Sequence, residues 1–165
     1  MTADDPTLLT LPTDEQILIT RAFDVPRHLV FRAWTTPELV RRWWHAGRGD
    51  VTVVEIDLRV GGAWRYAMVA DDGLEVAFHG EYREIVPNER IVSTETYEGV
   101  PDGVSEADAT TLNTATFTEA DGRTTLTLLI EAPNRAARDA IVDSGMEDGL
   151  ADALDLLEQT ARSLA

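Results

Sequence analysis

The sequence predicts an α+β fold in which a curved antiparallel sheet of about seven strands packs against one long C-terminal helix. Six runs rich in β-branched and aromatic residues follow one another between residues 51 and 131, separated by short turns. The last segment repeats apolar residues every three or four positions, which is typical of an amphipathic helix. The length of 165 residues fits one domain, since domains typically contain roughly 100–200 residues.

The chain divides into a flexible N-terminal lead at residues 1–14, where two prolines break regular structure, and a folded domain at residues 15–165. Residues 15–23 are the first predicted strand. Alternate positions of this strand share one face: Ile17, Ile19, Arg21 and Phe23. The arginine interrupts an otherwise apolar alternation.

Two short helices are predicted after the first strand. Asp24 can cap the first helix, and Pro26 suits its first turn because proline has no backbone N–H to lose there. The second helix has Thr36 as its N-cap and Pro37 at its first position. It ends before Gly47, because glycine favours a helix terminus.

The remaining strands are separated by turn-forming Gly, Asp, Asn and Pro residues. Their predicted ranges are 51–58, 63–70, 74–86, 90–98, 109–119 and 124–131. Because the connections are short, we expect an antiparallel meander rather than parallel strands joined by helices.

The C-terminal segment is predicted to contain two helices. Asn134 can cap the first, and the sequence from Ser144 to Glu147 matches a capping box that begins the second. Gly145 and Gly149 lie four residues apart near the start of this long helix, although glycine weakens helices. Either the helix packs closely on the sheet at these positions, or they leave space for a ligand at the mouth of a pocket.

An ordered series of local strings resembles one known family. Residues 23–26 and 30–34 resemble its opening, residues 57–64 resemble its D-x-R-x-G-G-x-[FW] hairpin, and residues 145–150 resemble the start of its last helix. Over residues 15–163 the chain is similar to the family named after the C-terminal domain of the activator of the 90-kDa heat-shock protein ATPase. That family belongs to the START-type, birch-pollen-allergen-like helix-grip superfamily (SRPBCC). The resemblance implies a helix-grip fold.

In a helix-grip fold, the gap between sheet and long helix is an apolar cavity suited to a small ligand. We expect its lining to come from large apolar side chains on the inward faces: Trp43, Trp64, Tyr66, Met68, Phe78, Tyr97, Phe117, Met146 and Leu150. His45 is expected at the rim, where a titratable ring could orient a polar ligand group. The same spacing is also typical of a closed core, so only an observed void separates the two interpretations.

Composition excludes several classes of function. Thirty acidic residues against fourteen basic ones give a net charge of −16, which repels nucleic acids and anionic membrane surfaces. There is no cysteine, and the three histidines have no metal-ligand spacing, so we predict neither a metal site nor a cofactor. The N-terminus lacks the basic and apolar regions of a signal peptide, which indicates a cytoplasmic protein.

The favoured function is the binding of a small apolar or aromatic molecule. One alternative is an enzyme of the polyketide cyclase or aromatase kind, but no convergent acid–base set is visible, so no catalytic residue is assigned and an enzyme is not expected. The other is an interaction protein that regulates a chaperone. The sequence has no counterpart to the second domain of the full-length activator, so a chaperone partner is not expected. An exposed apolar patch would indicate such a role or a homodimer.

Overall fold

The structure, a computed structural model, describes residues 7–100 and 102–165. Its strands are β1 (Leu8–Thr10), β2 (Gln16–Phe23), β3 (Gly49–Ile56), β4 (Ala63–Ala70), β5 (Glu75–Val86), β6 (Arg90–Tyr97), β7 (Thr110–Ala120) and β8 (Arg123–Glu131). Its helices are α1 (Arg27–Thr35), α2 (Pro37–Val40), α3 (Arg135–Asp143) and α4 (Met146–Arg162). A short 3-10 turn at Ala107–Ala109 precedes β7. The predicted α+β class is confirmed.

The strands form one antiparallel sheet in the order β1-β2-β8-β7-β6-β5-β4-β3. The predicted meander is therefore present from β3 to β8, and the sheet has one strand more than the seven expected. The additional strand is β1, where Leu8 pairs with Thr20 and Thr10 with Leu18. This part of the predicted flexible lead is an edge strand, whereas residues 1–6 of the lead lie outside the described residues. A strand of three residues is too short to produce a recognisable alternation.

The core lies between one face of the sheet and helices α1 and α4. Alternation along the strands sends one set of apolar side chains inward. Buried sheet residues of this set include Ile17, Ile19, Phe23, Ala115, Phe117, Leu126, Leu128 and Ile130. The helices cover them with Leu29, Val30, Ala33, Ala153, Leu154, Leu157 and Ala161. Burial of these two faces against each other is what fixes the position of α4 over the sheet.

Arg21 occupies an inward position of β2 because α4 supplies its charge partners. The side chain is only 6% exposed, and its guanidinium donates to Asp155 at 2.6 Å and to Glu158 at 2.8 Å. It also lies 5.0 Å from the centre of the Phe23 ring. The polar residue that interrupts the alternation of β2 therefore ties the sheet to the long helix.

Two of the four predicted helix starts are confirmed in detail. Pro37 is the first residue of α2 after the N-cap Thr36, and the Asn134 side chain accepts a hydrogen bond from the backbone N–H of Ala137 at 2.8 Å. The start predicted at Asp24 is wrong, because Pro26 is the N-cap of α1. The backbone N–H of Asp24 instead donates to Glu158 at 2.9 Å.

The capping box predicted at the start of α4 is also wrong. The N-cap is Gly145, whose φ of 82° lies in the left-handed region, and no side chain caps this end. The Ser144 hydroxyl donates backwards to the carbonyl oxygen of Ile141 and so belongs to the end of α3. At Gly149 a Cβ would meet no atom within 4 Å, so close packing does not explain this glycine.

We expect Gly149→Ala to raise the free energy of unfolding by up to about 1 kcal/mol, because alanine has the higher helix propensity and the added methyl meets no neighbour. Gly145→Ala is the matched control. It should lower stability by about 1 kcal/mol or more, since alanine is strained at positive φ. Urea denaturation of both variants measures the two effects, and changes of the same sign would contradict this account of the helix start.

Candidate functional site

Five aromatic side chains form a connected group where β4, β5 and β6 face the helical layer. We call this the aromatic cluster: Trp44, Trp64, Tyr66, Phe78 and Tyr97. The register places Tyr66 opposite Phe78 and Phe78 opposite Tyr97 on neighbouring strands. Ring centres are 4.9 Å apart for Trp64 and Tyr66, and 5.1 Å apart for Phe78 and Tyr97. Trp44, in the turn after α2, bridges them at 5.5 Å from Tyr66 and 6.0 Å from Phe78.

Gly80 leaves the space that the Trp64 ring occupies. It pairs with Trp64 across β4 and β5, and a Cβ at this position would lie 2.6 Å from the indole nitrogen. Because that Cβ is missing, the indole reaches across β5 and its Nε1 donates to the carbonyl oxygen of Thr94 on β6 at 3.2 Å. The glycine therefore permits the close approach of a large ring to a neighbouring backbone.

The aromatic cluster is not fully enclosed. Trp64 is 7% exposed, whereas the other four rings are half-buried. The hydroxyls of Tyr66 and of Tyr82, on β5, form no hydrogen bond with any described residue. Within this part of the chain, the buried side-chain polar atom that lacks a partner is Thr7 Oγ1. Both phenol hydroxyls therefore keep contact with accessible space.

Glu95 lies on β6 beside the aromatic cluster. His79 of β5 pairs with Thr96 of β6, so the register places the preceding residue, Glu95, opposite Gly80. Burial raises the pKa of Glu95 from 4.5 to about 7, and a hydrogen bond from the Asn113 side chain opposes this rise. Asn113 is in turn held by the Thr111 hydroxyl, which donates to its Oδ1 at 2.8 Å.

The two tyrosines near Glu95 stay neutral at physiological pH. Burial is the main cause that raises the pKa of Tyr66, with further contributions from Tyr82 and Glu95. Burial likewise raises the pKa of Tyr82, and the charge of Asp57 adds to the rise. A neutral phenol can donate a hydrogen bond. The group thus offers two donors and one titratable carboxyl beside an aromatic surface.

Glu95 and Tyr82 are residues that the sequence analysis missed. A usable signal exists, since Ile91, Ser93, Glu95 and Tyr97 occupy alternate positions of one strand and so share its inward face. An acid at such a position normally indicates a solvent-facing strand. It marks a polar site only once the neighbouring aromatic residues are known to lie on the same face.

The structure brings four of the predicted ligand-binding residues together in the aromatic cluster: Trp64, Tyr66, Phe78 and Tyr97. Met68 follows on the same face of β4 and is half-buried. Met146 and Leu150, in the first turns of α4, are half-buried and pack against the core. For all seven of these residues, contact with a ligand stays a prediction.

Trp43 and Phe117 lie in a different aromatic group. The Trp43 indole is 4% exposed, donates to the carbonyl oxygen of Ala33 at 2.9 Å, and stacks on Trp34 at 5.3 Å between ring centres. Phe117, 1% exposed, meets the edges of Phe31 and Trp34. These contacts account for both side chains within the core, and their proposed contact with a ligand stays a prediction.

His45 is half-buried in the turn that follows α2. Its Nδ1 accepts a hydrogen bond from the backbone N–H of Gly47 at 2.8 Å, so the ring proton lies on Nε2 while this bond is present. This bond helps to shape the turn that also carries Trp44. A role of His45 at the rim of a ligand site stays a prediction.

An open depression of about 440 Å³ lies beside the start of β7 and the end of β8 and reaches Thr94 and Thr111, which adjoin the aromatic cluster and Glu95. It is lined by Thr94, Glu106, Ala107, Thr110, Thr111, Leu112, Glu131, Ala132 and Pro133. None of the predicted ligand-binding residues contributes to it.

Among the described residues, no three His, Asp or Glu side chains are grouped to hold a metal ion. None of the helices there has the length and apolar character required to cross a bilayer.

These features define the class of protein. An antiparallel sheet with two short helices after its second strand and a long C-terminal helix over its inward face is a helix-grip fold of the SRPBCC type. Residues 24–162 match the family described as Activator of Hsp90 ATPase homolog 1-like protein. The match covers most of the chain, and the protein belongs to that family.

Solved structures from several bacteria share the fold. A protein from Rhodobacter sphaeroides is 22% identical with a TM-score of 0.85, over 96% of this chain and 99% of that one. Protein Ms6760 from Mycobacterium smegmatis is 23% identical with a TM-score of 0.81, over 93% and 96%. Protein CV1439 from Chromobacterium violaceum is 27% identical with a TM-score of 0.77, over 90% and 98%. No curated protein matches the chain.

Proposed function

We propose that the protein binds a small apolar or aromatic molecule between the aromatic cluster and the first turns of α4. The observation that carries the proposal is that four of the five rings in this cluster are only half-buried, although they face the helical layer. Removing apolar surface from water contributes roughly 25 cal/mol per Å². A flat apolar molecule placed on these rings would therefore gain free energy, and stacking would add to it.

The helix side of the proposed site is also incompletely buried. Met146 and Leu150 are half-buried, and the space beside Gly149 is open to at least 4 Å from a Cβ. These positions share one side of α4, since residues three and four apart are neighbours on a helix. Incomplete packing on both sides supports a ligand site here rather than a closed core.

Nile red, a neutral apolar dye, tests this proposal. We expect the wild-type protein to enhance its fluorescence, and Leu150→Trp to abolish most of the enhancement because the larger ring fills the proposed space. Asp148→Trp, at an exposed position two residues earlier, is the control and should bind the dye as the wild type does. Native mass spectrometry of the freshly purified protein would detect a molecule that it retains.

The stability of Leu150→Trp separates a gap from a packed core. In a gap, the added volume is accommodated and urea denaturation should show a change below about 1 kcal/mol. In a packed core, overpacking should cost about 1–3 kcal/mol. A strongly destabilised variant, together with a wild-type protein that does not bind Nile red, would contradict the proposed function.

The cyclase-like alternative is favoured by one observation, the Glu95 carboxyl with its pKa of about 7 beside two phenols. Such a carboxyl suits proton transfer near neutral pH.

Chaperone regulation is suggested by the family's name and would use the outer surface, so Leu150→Trp should leave it unchanged. We further propose that the protein acts in the cytoplasm without a nucleic-acid or membrane partner, which its charge of −16 supports.

A further inference from the structure

Within residues 7–100 and 102–165, Glu95 forms no ion pair, and it lies beside the aromatic cluster. All basic side chains that could neutralise it are arginines. The ion pairs among the described residues engage carboxylates elsewhere, such as Glu98 with Arg65 and Glu158 with Arg21. The Asn113 amide gives Glu95 a hydrogen bond but no charge. Glu95 is half-buried, and its burial makes the ionised form unfavourable unless a cation approaches it.

The surroundings of Glu95 match the requirements of an organic cation. The carboxyl is held from one side by the Thr111–Asn113 pair of β7. On the other side, Gly80 lets the Trp64 indole reach the backbone of β6 at Thr94, directly before Glu95. Aromatic faces attract ammonium groups through their quadrupole, and indole is the strongest of them.

We propose that the ligand of this site is an amphipathic amine, whose ammonium group pairs with Glu95 while its apolar body lies on the aromatic cluster. The inference rests on the proposed function and names its ligand class. The hydroxyls of Tyr66 and Tyr82 carry no positive charge. The ammonium group of the ligand would therefore be the cationic partner of the Glu95 carboxylate. The net charge of −16 also raises the local concentration of cations around the protein.

Three probes with the same hydrocarbon body test the inference at pH 8 by isothermal titration calorimetry: 4-phenylbutylamine, 4-phenyl-1-butanol and 4-phenylbutyrate. We expect the amine to bind at least about tenfold more tightly than the alcohol, because a charge-assisted hydrogen bond forms with Glu95. The anion should bind most weakly. In Glu95→Gln the advantage of the amine over the alcohol should disappear, while the affinity for the alcohol stays within about twofold.

Glu89→Gln is the matched control, since it removes the same charge from an exposed side chain of the β5–β6 turn. It should keep the preference of the wild type, which excludes a general effect of net charge. A second measurement needs no variant. At pH 6.5 binding of the amine should release protons from Glu95, seen as a heat that depends on the buffer, whereas binding of the alcohol should not.

The outcomes separate this inference from the function on which it rests. If the alcohol and Nile red bind but the amine has no advantage, or if Glu95→Gln keeps that advantage, the amine inference is wrong and the proposed function stands. If the amine preference persists in Glu95→Gln and falls in Glu89→Gln, surface charge is its cause. If neither Nile red nor any of the three probes binds, both proposals are wrong.

Discussion

Arg21→Ala should lower the free energy of unfolding by about 3 kcal/mol, because it removes the buried guanidinium and leaves Glu158 with only an exposed counter-charge. The guanidinium is 6% exposed and the Glu158 side chain 19% exposed, so water replaces the lost contacts poorly. Asp155 is 60% exposed and regains water readily, which keeps the expected loss at the lower end of the range for buried pairs. Urea denaturation at pH 7 measures the change.

Arg162→Ala is the control for this prediction. Arg162 also contacts Glu158, at 3.3 Å, but its side chain is 55% exposed. Exposed pairs contribute about 0–1 kcal/mol, so the loss should be below 1 kcal/mol. Equal losses in the two variants would contradict the account. Full recovery of stability in Arg21→Met would show that the aliphatic packing of Arg21, rather than its charge, joins β2 to α4.

The ion pair also shows what sequence patterns can and cannot predict. Alternation in β2 and the three- and four-residue spacing in α4 were sufficient to predict the sheet, the long helix and their inward faces. They predict nothing about Arg21, because its partners are on a helix more than 130 residues later in the chain. The strand β1 was missed for a different reason, since three residues carry almost no periodic signal.

The residues of the candidate site were also only partly predictable from the sequence. Alternation predicted Trp64 and Tyr66, since large side chains at alternate positions of β4 share a face. It could not show that Trp44, in a turn, closes the aromatic cluster from the helical side, because turns have no period. Glu95 was missed because an acid at an alternate strand position normally indicates a solvent-facing side chain. Only the pairing of β4, β5 and β6 shows that it lies beside Trp64 and Tyr66.

Glu95→Gln should stabilise the protein at pH 8 and have little effect near pH 5. The pKa of Glu95 is about 7 in the folded protein, against 4.5 as its ordinary value. Between these two values the folded state holds a proton that the unfolded state has lost, so the wild type loses stability as the pH rises through this window. Glutamine keeps the shape of the side chain and never ionises.

The expected gain at pH 8 is about 2–3 kcal/mol, since each unit of pKa change corresponds to about 1.4 kcal/mol and Glu95 keeps some contact with solvent. Urea denaturation at pH 5, 6, 7 and 8 should show the difference between variant and wild type growing along the series. All other titratable groups are present in both proteins, so their contributions cancel in the difference. Glu89→Gln should show no such growth. A gain that does not change with pH, or a loss at pH 8, would mean that Glu95 already has a compensating charge in the free protein, and the case for a cationic ligand would lose its physical basis.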